Sequence, residues 1–200
     1  MELMALSESG LAYSRNEFDI GRFHQVGVIA ERLMREVAAD DRPDYDPAVA
    51  SVAGYATPKI DVRGGVFNAD GDVLLVREVA DHGRWTLPGG WGDILETPSV
   101  AVEREVFEEA GLRVRAVELA AVLDREKWGH VPPVDRHIYK LFFVCEPLED
   151  ADLSYVSNET SGIGWFRVDD LPELSIGRVL PEQIRILQRH WRKRGPAEFD

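Results

Sequence analysis

Gly90-Trp-Gly-Asp-Ile-Leu-Glu96-Thr-Pro-Ser-Val-Ala-Val-Glu-Arg104-Glu105-Val-Phe-Glu108-Glu109-Ala-Gly111-Leu112 is the stretch from which the rest of the chain is read. Thr97 suits a helix N-cap, and Pro98 suits the first helical position, where a missing N–H costs nothing. Gly111 suits the left-handed position just past the helix end. The spacing predicts one helix between these signals, entered from a Gly-rich loop, Trp85 to Asp93. Glu105, Glu108 and Glu109 stand at i, i+3 and i+4, so their carboxylates share one face within about a turn. Like charges at this spacing oppose each other by about 0.2–0.5 kcal/mol per pair. The negative end of the helix dipole adds about 0.3–1 kcal/mol for each. A helix with a purely structural task gains by replacing them. Hard divalent cations remove the penalty, and Mg2+ typically joins carboxylates to phosphate oxygens. Taken without the surrounding spacing, the three acids also read as a solvated face.

The surrounding chain bounds the possibilities. Its 200 residues suffice for one packed domain with a small appendage, and an apolar fraction of 44% with 30% charged residues excludes a disordered chain or a fibre. No apolar run approaches the ~20 residues of a membrane-spanning helix. The first thirty residues lack the pattern of a secretion signal. Cys145 is the single cysteine, so no internal disulfide or thiolate cluster is available. These features lead us to expect a reducing, cytoplasmic setting and no membrane partner. Against 23 Lys and Arg stand 36 Asp and Glu, a net charge of −13. Binding to DNA is not expected of so acidic a chain, and an anionic substrate needs bound cations to approach it.

Residues 1–53 read as a helical N-terminal domain, with Phe23, Val26, Ala30, Leu33, Met34 and Val37 recurring on one helical face. Asp40 to Pro47 resembles a linker. Residues 54–200 form the second domain. In it Ile60 to Phe67, a turn at Asn68 to Asp72, and Val73 to Val76 give a strand, turn and strand. Further strands are expected near 113–123, 137–145 and 163–168, and a last helix from Pro181 to about Arg194.

The spacing Gly90-x5-Glu96-x7-Arg104-Glu105-Val106-x-Glu108-Glu109-x-Gly111-Leu112 matches every fixed and aliphatic position of the Nudix box. A random window does so on the order of once in a billion at average residue frequencies. The chain thus resembles the Nudix hydrolases, which cleave nucleoside diphosphates linked to another moiety. The resemblance implies an α/β fold, an α/β/α sandwich with a mixed sheet. It implies Mg2+ or Mn2+ held by Glu105, Glu108 and Glu109, with a carbonyl near Gly89-Gly90 completing the coordination. Arg104 and Glu96 are implied as a supporting ion pair. Gly10-Leu-Ala-Tyr13, Tyr55-Ala-Thr-Pro-Lys59, Asp61-Val-Arg63-Gly64 and Trp85-Thr-Leu-Pro-Gly-Gly-Trp91 are similar to a subgroup with a helical N-terminal domain. That subgroup includes pyrophosphatases of CDP-choline and of UDP-linked compounds. Asp124-Arg125, His137 to Lys140 and Glu159-Thr160 fit the same pattern. Trp128 departs from it, standing where a histidine is expected.

The base that takes the proton of the attacking water is expected to be Glu109 or Glu159, the latter from a loop outside the box. Lys59, Arg63 and Arg77 are candidate phosphate clamps, with surface ion pairing as the alternative for each. Trp85 and Trp91 flank the Gly-rich loop and could stack on a base, although a core role suits Trp85 equally. Tyr13 and Phe18 are further candidates, reaching the base from a second subunit. His24, His82 and His190 read as surface or capping residues, and Cys145 as a buried strand residue. The expected products are a nucleoside monophosphate and a phosphorylated partner. ADP-ribose hydrolysis is the alternative within enzymes. A non-catalytic, nucleotide-sensing regulator is the alternative outside them, with RNA-end trimming disfavoured by the charge. The helical appendage suggests a homodimer.

Overall fold

The computed structural model describes residues 2–38, 56–134 and 136–200. The Asp40–Pro47 linker and the expected boundary at 53/54 lie outside the described residues, as do the side chains of Met34 and Val37. The chain divides into two compact units, residues 1–58 with 134–137, and residues 59–133 with 138–200.

The first unit contains helices α1 (Glu2–Tyr13) and α2 (Glu17–Ala38). Small residues let them approach. The Ser7 hydroxyl donates to the Phe23 carbonyl at 2.8 Å, and a Cβ on Gly27 would lie 2.7 Å from that same hydroxyl. Ala30 is buried, and Phe23 and Val26 are partly so. Leu33, expected on the same face, is exposed, together with Leu6, Tyr13, Phe18 and Val28. Among the described residues, much of the apolar surface of the helix pair is therefore exposed.

The second unit contains β1 (Lys59–Val66), β2 (Val73–Glu78), β3 (Trp85–Thr86), α3 (Pro98–Ala110), β4 (Val114–Asp124), β5 (Ile138–Pro147), β6 (Thr160–Phe166), α4 (Pro181–Arg192) and β7 (Glu198–Phe199). One sheet has the order β1-β5-β4-β7 and mixes directions, since β1 and β5 run parallel whereas β4 and β5 run antiparallel. The other, β3-β2-β6, is antiparallel. Alternate strand residues face opposite ways. Val62, Val66, Leu74, Val76 and Phe143 pack with Ala101, Val102 and Val106 of α3. Val73, Leu75, Phe142 and Val144 pack with Ile184, Ile186 and Leu187 of α4. This gives helix, sheet and helix layers. Two adjacent glycines in β1 allow both helices to press close. A Cβ on Gly64 would lie 2.7 Å from Val106 and one on Gly65 would lie 2.9 Å from Leu187.

At the margin of the larger sheet, β7 runs parallel to β4 at Ala121 and Val122. The Asp200 carboxylate then accepts from the Trp128 indole N–H at 2.8 Å and from the Asp124 amide. This accounts for the tryptophan at the position where a histidine was expected. It anchors the C-terminal tail to the loop after β4.

Candidate active site

The predicted caps form. The Thr97 hydroxyl accepts from the Val100 amide, and Gly111 takes a left-handed conformation with φ 64° and bonds back to the Phe107 carbonyl. The helix is thereby fixed at both ends. Its acidic residues diverge in environment, because Glu105 and Glu109 are buried while Glu108 is exposed.

The Gly-rich loop lies along β1 like an added strand. Val62 donates to the Gly90 carbonyl at 2.8 Å, Gly64 to the Pro88 carbonyl at 2.9 Å, and Gly92 to the Ile60 carbonyl at 3.0 Å. Gly89 has φ 145°, and a Cβ there would lie 2.1 Å from the Val62 carbonyl oxygen. Only glycine fits that conformation and that space. The Gly89 N–H is left pointing at the helix, where it donates to Glu109 Oε2 at 2.8 Å. At Gly90 a Cβ would lie 2.9 Å from both Glu105 carboxylate oxygens.

Arg104 ties the loop to the helix. It donates to Glu96 through Nε and Nη2, to Glu105 and Glu108 through Nη1 at 2.9 Å each, and to the Trp91 carbonyl at 3.3 Å. Burial pushes the Glu109 carboxyl up to about 7, against the charge of Arg63 and the bond from Gly89. Burial also raises Glu105, opposed by Arg104 and Arg63. Thr160 closes the far side, its hydroxyl donating to the Glu109 carbonyl at 2.7 Å.

The candidate cations are distributed differently from one another. Arg63 is buried, with Nε and Nη2 on the two oxygens of Asp61 at 2.9 and 2.8 Å and Nη1 on the Leu87 carbonyl. Its guanidinium is committed to the protein rather than turned outward. Lys59 and Arg77 are exposed, and Arg77 donates to the Gly83 carbonyl. Trp85 packs edge-on against Phe166 at 4.6 Å, beside the α4-side core. Trp91 is exposed and pairs through its backbone with Asp61. Glu159 is exposed, next in sequence to Thr160, its amide held by the Ser157 hydroxyl.

The burial and partners of three residues escape a reading of sequence alone. Lys140 on β5 donates to Asp61 at 2.7 Å. Glu78 on β2 is buried, pairs with Arg178 at 3.1 Å, and contributes its charge to raising Glu109. His130 is buried between the Ile176 carbonyl and the Gln183 amide. His190 is also buried against Glu118, rather than on the surface. The period-two spacing of Asp61 and Arg63 was a usable signal, because it puts both on one face of β1. Nothing local to Lys140, Glu78 or His130 reveals their partners.

Residues 58–190 match the NUDIX domain family. The chain belongs to the Nudix hydrolases. Residues 1–44 match a second family, described as a UDP-X-like, N-terminal oligomerisation domain. The Nudix chain is 35% identical over 185 residues to a Bacillus subtilis (strain 168) protein provisionally named an ADP-ribose pyrophosphatase, covering 92% of this chain and 86% of the other. A Streptococcus suis 89-1591 structure described as an ADP-ribose pyrophosphatase matches with a TM-score of 0.64 and 36% identity, over 72% of this chain and all of that one. A structure described as a UDP-X diphosphatase matches at TM-score 0.64 and 26% identity, over 100% of this chain and 95% of its own. Like these enzymes, the chain is a Nudix hydrolase with the mixed-sheet sandwich of the family.

Among the described residues, no three Asp, Glu, His or Cys side chains form a ready cation cage. Arg104 stands between Glu96, Glu105 and Glu108 instead. The donor chemistry nonetheless fits a hard dication. Glu105 and Glu109 offer only oxygen, both are desolvated, and the lack of a side chain at Gly90 gives the Glu105 carboxylate its room. No helix among the described residues is long and apolar enough to cross a membrane.

Proposed function

We propose that the chain hydrolyses the pyrophosphate bond of a nucleoside diphosphate linked to another moiety, of the CDP-choline or UDP-X kind, to a nucleoside monophosphate and a phosphorylated partner. The supporting observation is the pair of buried carboxylates, Glu105 and Glu109, held under a loop that only glycine can form. The match of residues 1–44 and the whole-chain likeness to a UDP-X diphosphatase favour this substrate class.

Glu105, Glu108 and Glu109, with a backbone carbonyl of Gly89-Gly90, would hold Mg2+ or Mn2+. Bound there, a dication supplies charge neutralisation for the phosphates and a lowered pKa for the attacking water. Arg104 and Glu96 fix the orientation of the helix face toward the loop. Glu159, solvent-accessible and carried just before β6, is the group we assign to accept the proton of that water, with Glu109 as its alternative. Lys59 and Arg77 are exposed and available to a phosphate. Arg63 is instead engaged with the Asp61 carboxylate.

ADP-ribose is the second reading, favoured by the relatives at 35% and 36% identity. Incubating the protein and Mg2+ or Mn2+ with CDP-choline, UDP-glucose and ADP-ribose, and identifying products by mass spectrometry, separates the two. Hydrolysis of none, with nucleotide binding retained, would support a sensing regulator instead. We further propose a homodimer formed through the helical unit, in a cytoplasmic setting. A sedimentation measurement giving the monomer mass would remove the dimer.

A further inference from the structure

Among the described residues, Asp61 is the only carboxylate in an ion pair with either Lys140 or Arg63. Lys140 is 1% exposed, Arg63 4% and Asp61 6%, so water screens none of them well. One anion between two cations leaves a net positive charge inside the protein. Such a charge is costly to bury, and a packed fold keeps it only where something nearby balances it.

The balancing groups are identifiable. Arg63 lies against the Gly-rich loop, because its Cα is 2.9 Å from where a Cβ of Gly89 would stand and its Nη1 holds the Leu87 carbonyl. Gly89 binds Glu109 and Gly90 abuts Glu105. The charge of Arg63 accordingly acts on both carboxylates, opposing the effect of burial on each. Lys140 reaches the same centre through Asp61, on the strand paired with β1.

We propose that Lys140 and Asp61 are positioning residues that hold Arg63 in a buried triad of net positive charge, and that this charge weakens the grip of Glu105 and Glu109 on a divalent cation in the absence of phosphate. The inference rests on the reading of those glutamates as cation ligands. A site weakened in this way takes up its dications together with an anionic substrate, whose phosphates restore the missing negative charge. Affinity for the free cation is the quantity that reports the effect, and it does so in a direction opposite to structural damage.

The test is Mn2+ binding to the full chain at pH 7 without nucleotide, by electron paramagnetic resonance or titration calorimetry. Lys140→Met removes the charge, and Lys140→Gln removes it while retaining an N–H donor for Asp61. Both variants should bind Mn2+ more tightly by about tenfold, the order that a unit charge exerts on a dication across a partly solvated interior. Lys140→Arg keeps the charge and should stay within about twofold of the parent, a shift of under about half a kcal/mol. Unchanged or weaker binding in the Met and Gln variants, with melting temperatures intact, overturns the proposal. So does failure of both charge-free variants to fold, which would assign Lys140 a structural role. If Glu109→Gln leaves Mn2+ binding at the parent level, the cation is not at the glutamates, and the reading of the site fails first.

Discussion

The Gly89 amide meets Glu109 Oε2 at 2.8 Å, a bond between a loop residue and a helix residue twenty positions apart. It joins the element that shapes the site to the one that carries its acids. The bond exists because Gly89 holds φ 145° with its Cα against the Val62 carbonyl. Replacement with alanine meets both a forbidden backbone region and a fixed backbone oxygen. Gly89→Ala is expected to destabilise the fold by at least about 3 kcal/mol, measured by urea unfolding, and to abolish turnover.

Glu109→Gln separates activity from stability. The carboxyl is raised to about 7 chiefly by burial, so its ionised form is held at a cost. Glutamine keeps the shape and an acceptor for Gly89 while removing the charge. Turnover should fall by about a hundredfold or more, and the melting temperature should stay level or rise. A variant that loses both would place Glu109 among the structural acids.

Acid stability should depend on His130. Its Nδ1 lies 2.8 Å from the Ile176 carbonyl and its Nε2 lies 2.9 Å from the Gln183 amide nitrogen, an arrangement satisfied by the neutral ring. Burial, aided by the charge of Lys140, lowers it to about 4. The unfolded chain binds that proton near pH 6.5, so between about pH 4 and 6.5 the unfolded state carries more protons than the folded one. Stability from this group is complete above the window and is lost as pH falls through it. Unfolding free energies across pH 4–7 should show a shallower slope in His130→Gln than in the parent.

Cys145 provides a probe of opening. It is 1% exposed in β5, and burial pushes its thiol up to about 12. The thiolate is the reactive form. Alkylation by iodoacetamide at pH 8 should be negligible in the folded protein and rapid in urea. Fast labelling of the native chain would contradict the packing of the α3-side core.

The helix from Pro98 to Ala110 was legible because cap, proline and terminal glycine are local signals, and so were the strands with several consecutive apolar residues. β3 and β7 were not, being two residues each and defined only by pairing, β3 with the neighbouring β2 and β7 with the distant β4. The site was legible where its geometry follows helical spacing, as for Glu105 and Glu109. It was illegible where a charge is buried by a partner far along the chain, as for Lys140 with Asp61. A lone lysine in an alternating strand reads as solvent-facing, and only the tertiary pairing of β1 with β5 brings its carboxylate to it.

Where Glu198 and Phe199 lie beside Ala121 and Val122, the backbone groups that a neighbouring molecule would need for edge-to-edge joining are already engaged. At this short stretch of the border, residues 198 and 199 therefore guard against runaway polymerisation. Trimming residues 198–200 would free the outward backbone groups beside Ala121 and Val122, and the truncated protein should become more prone to clumping on storage.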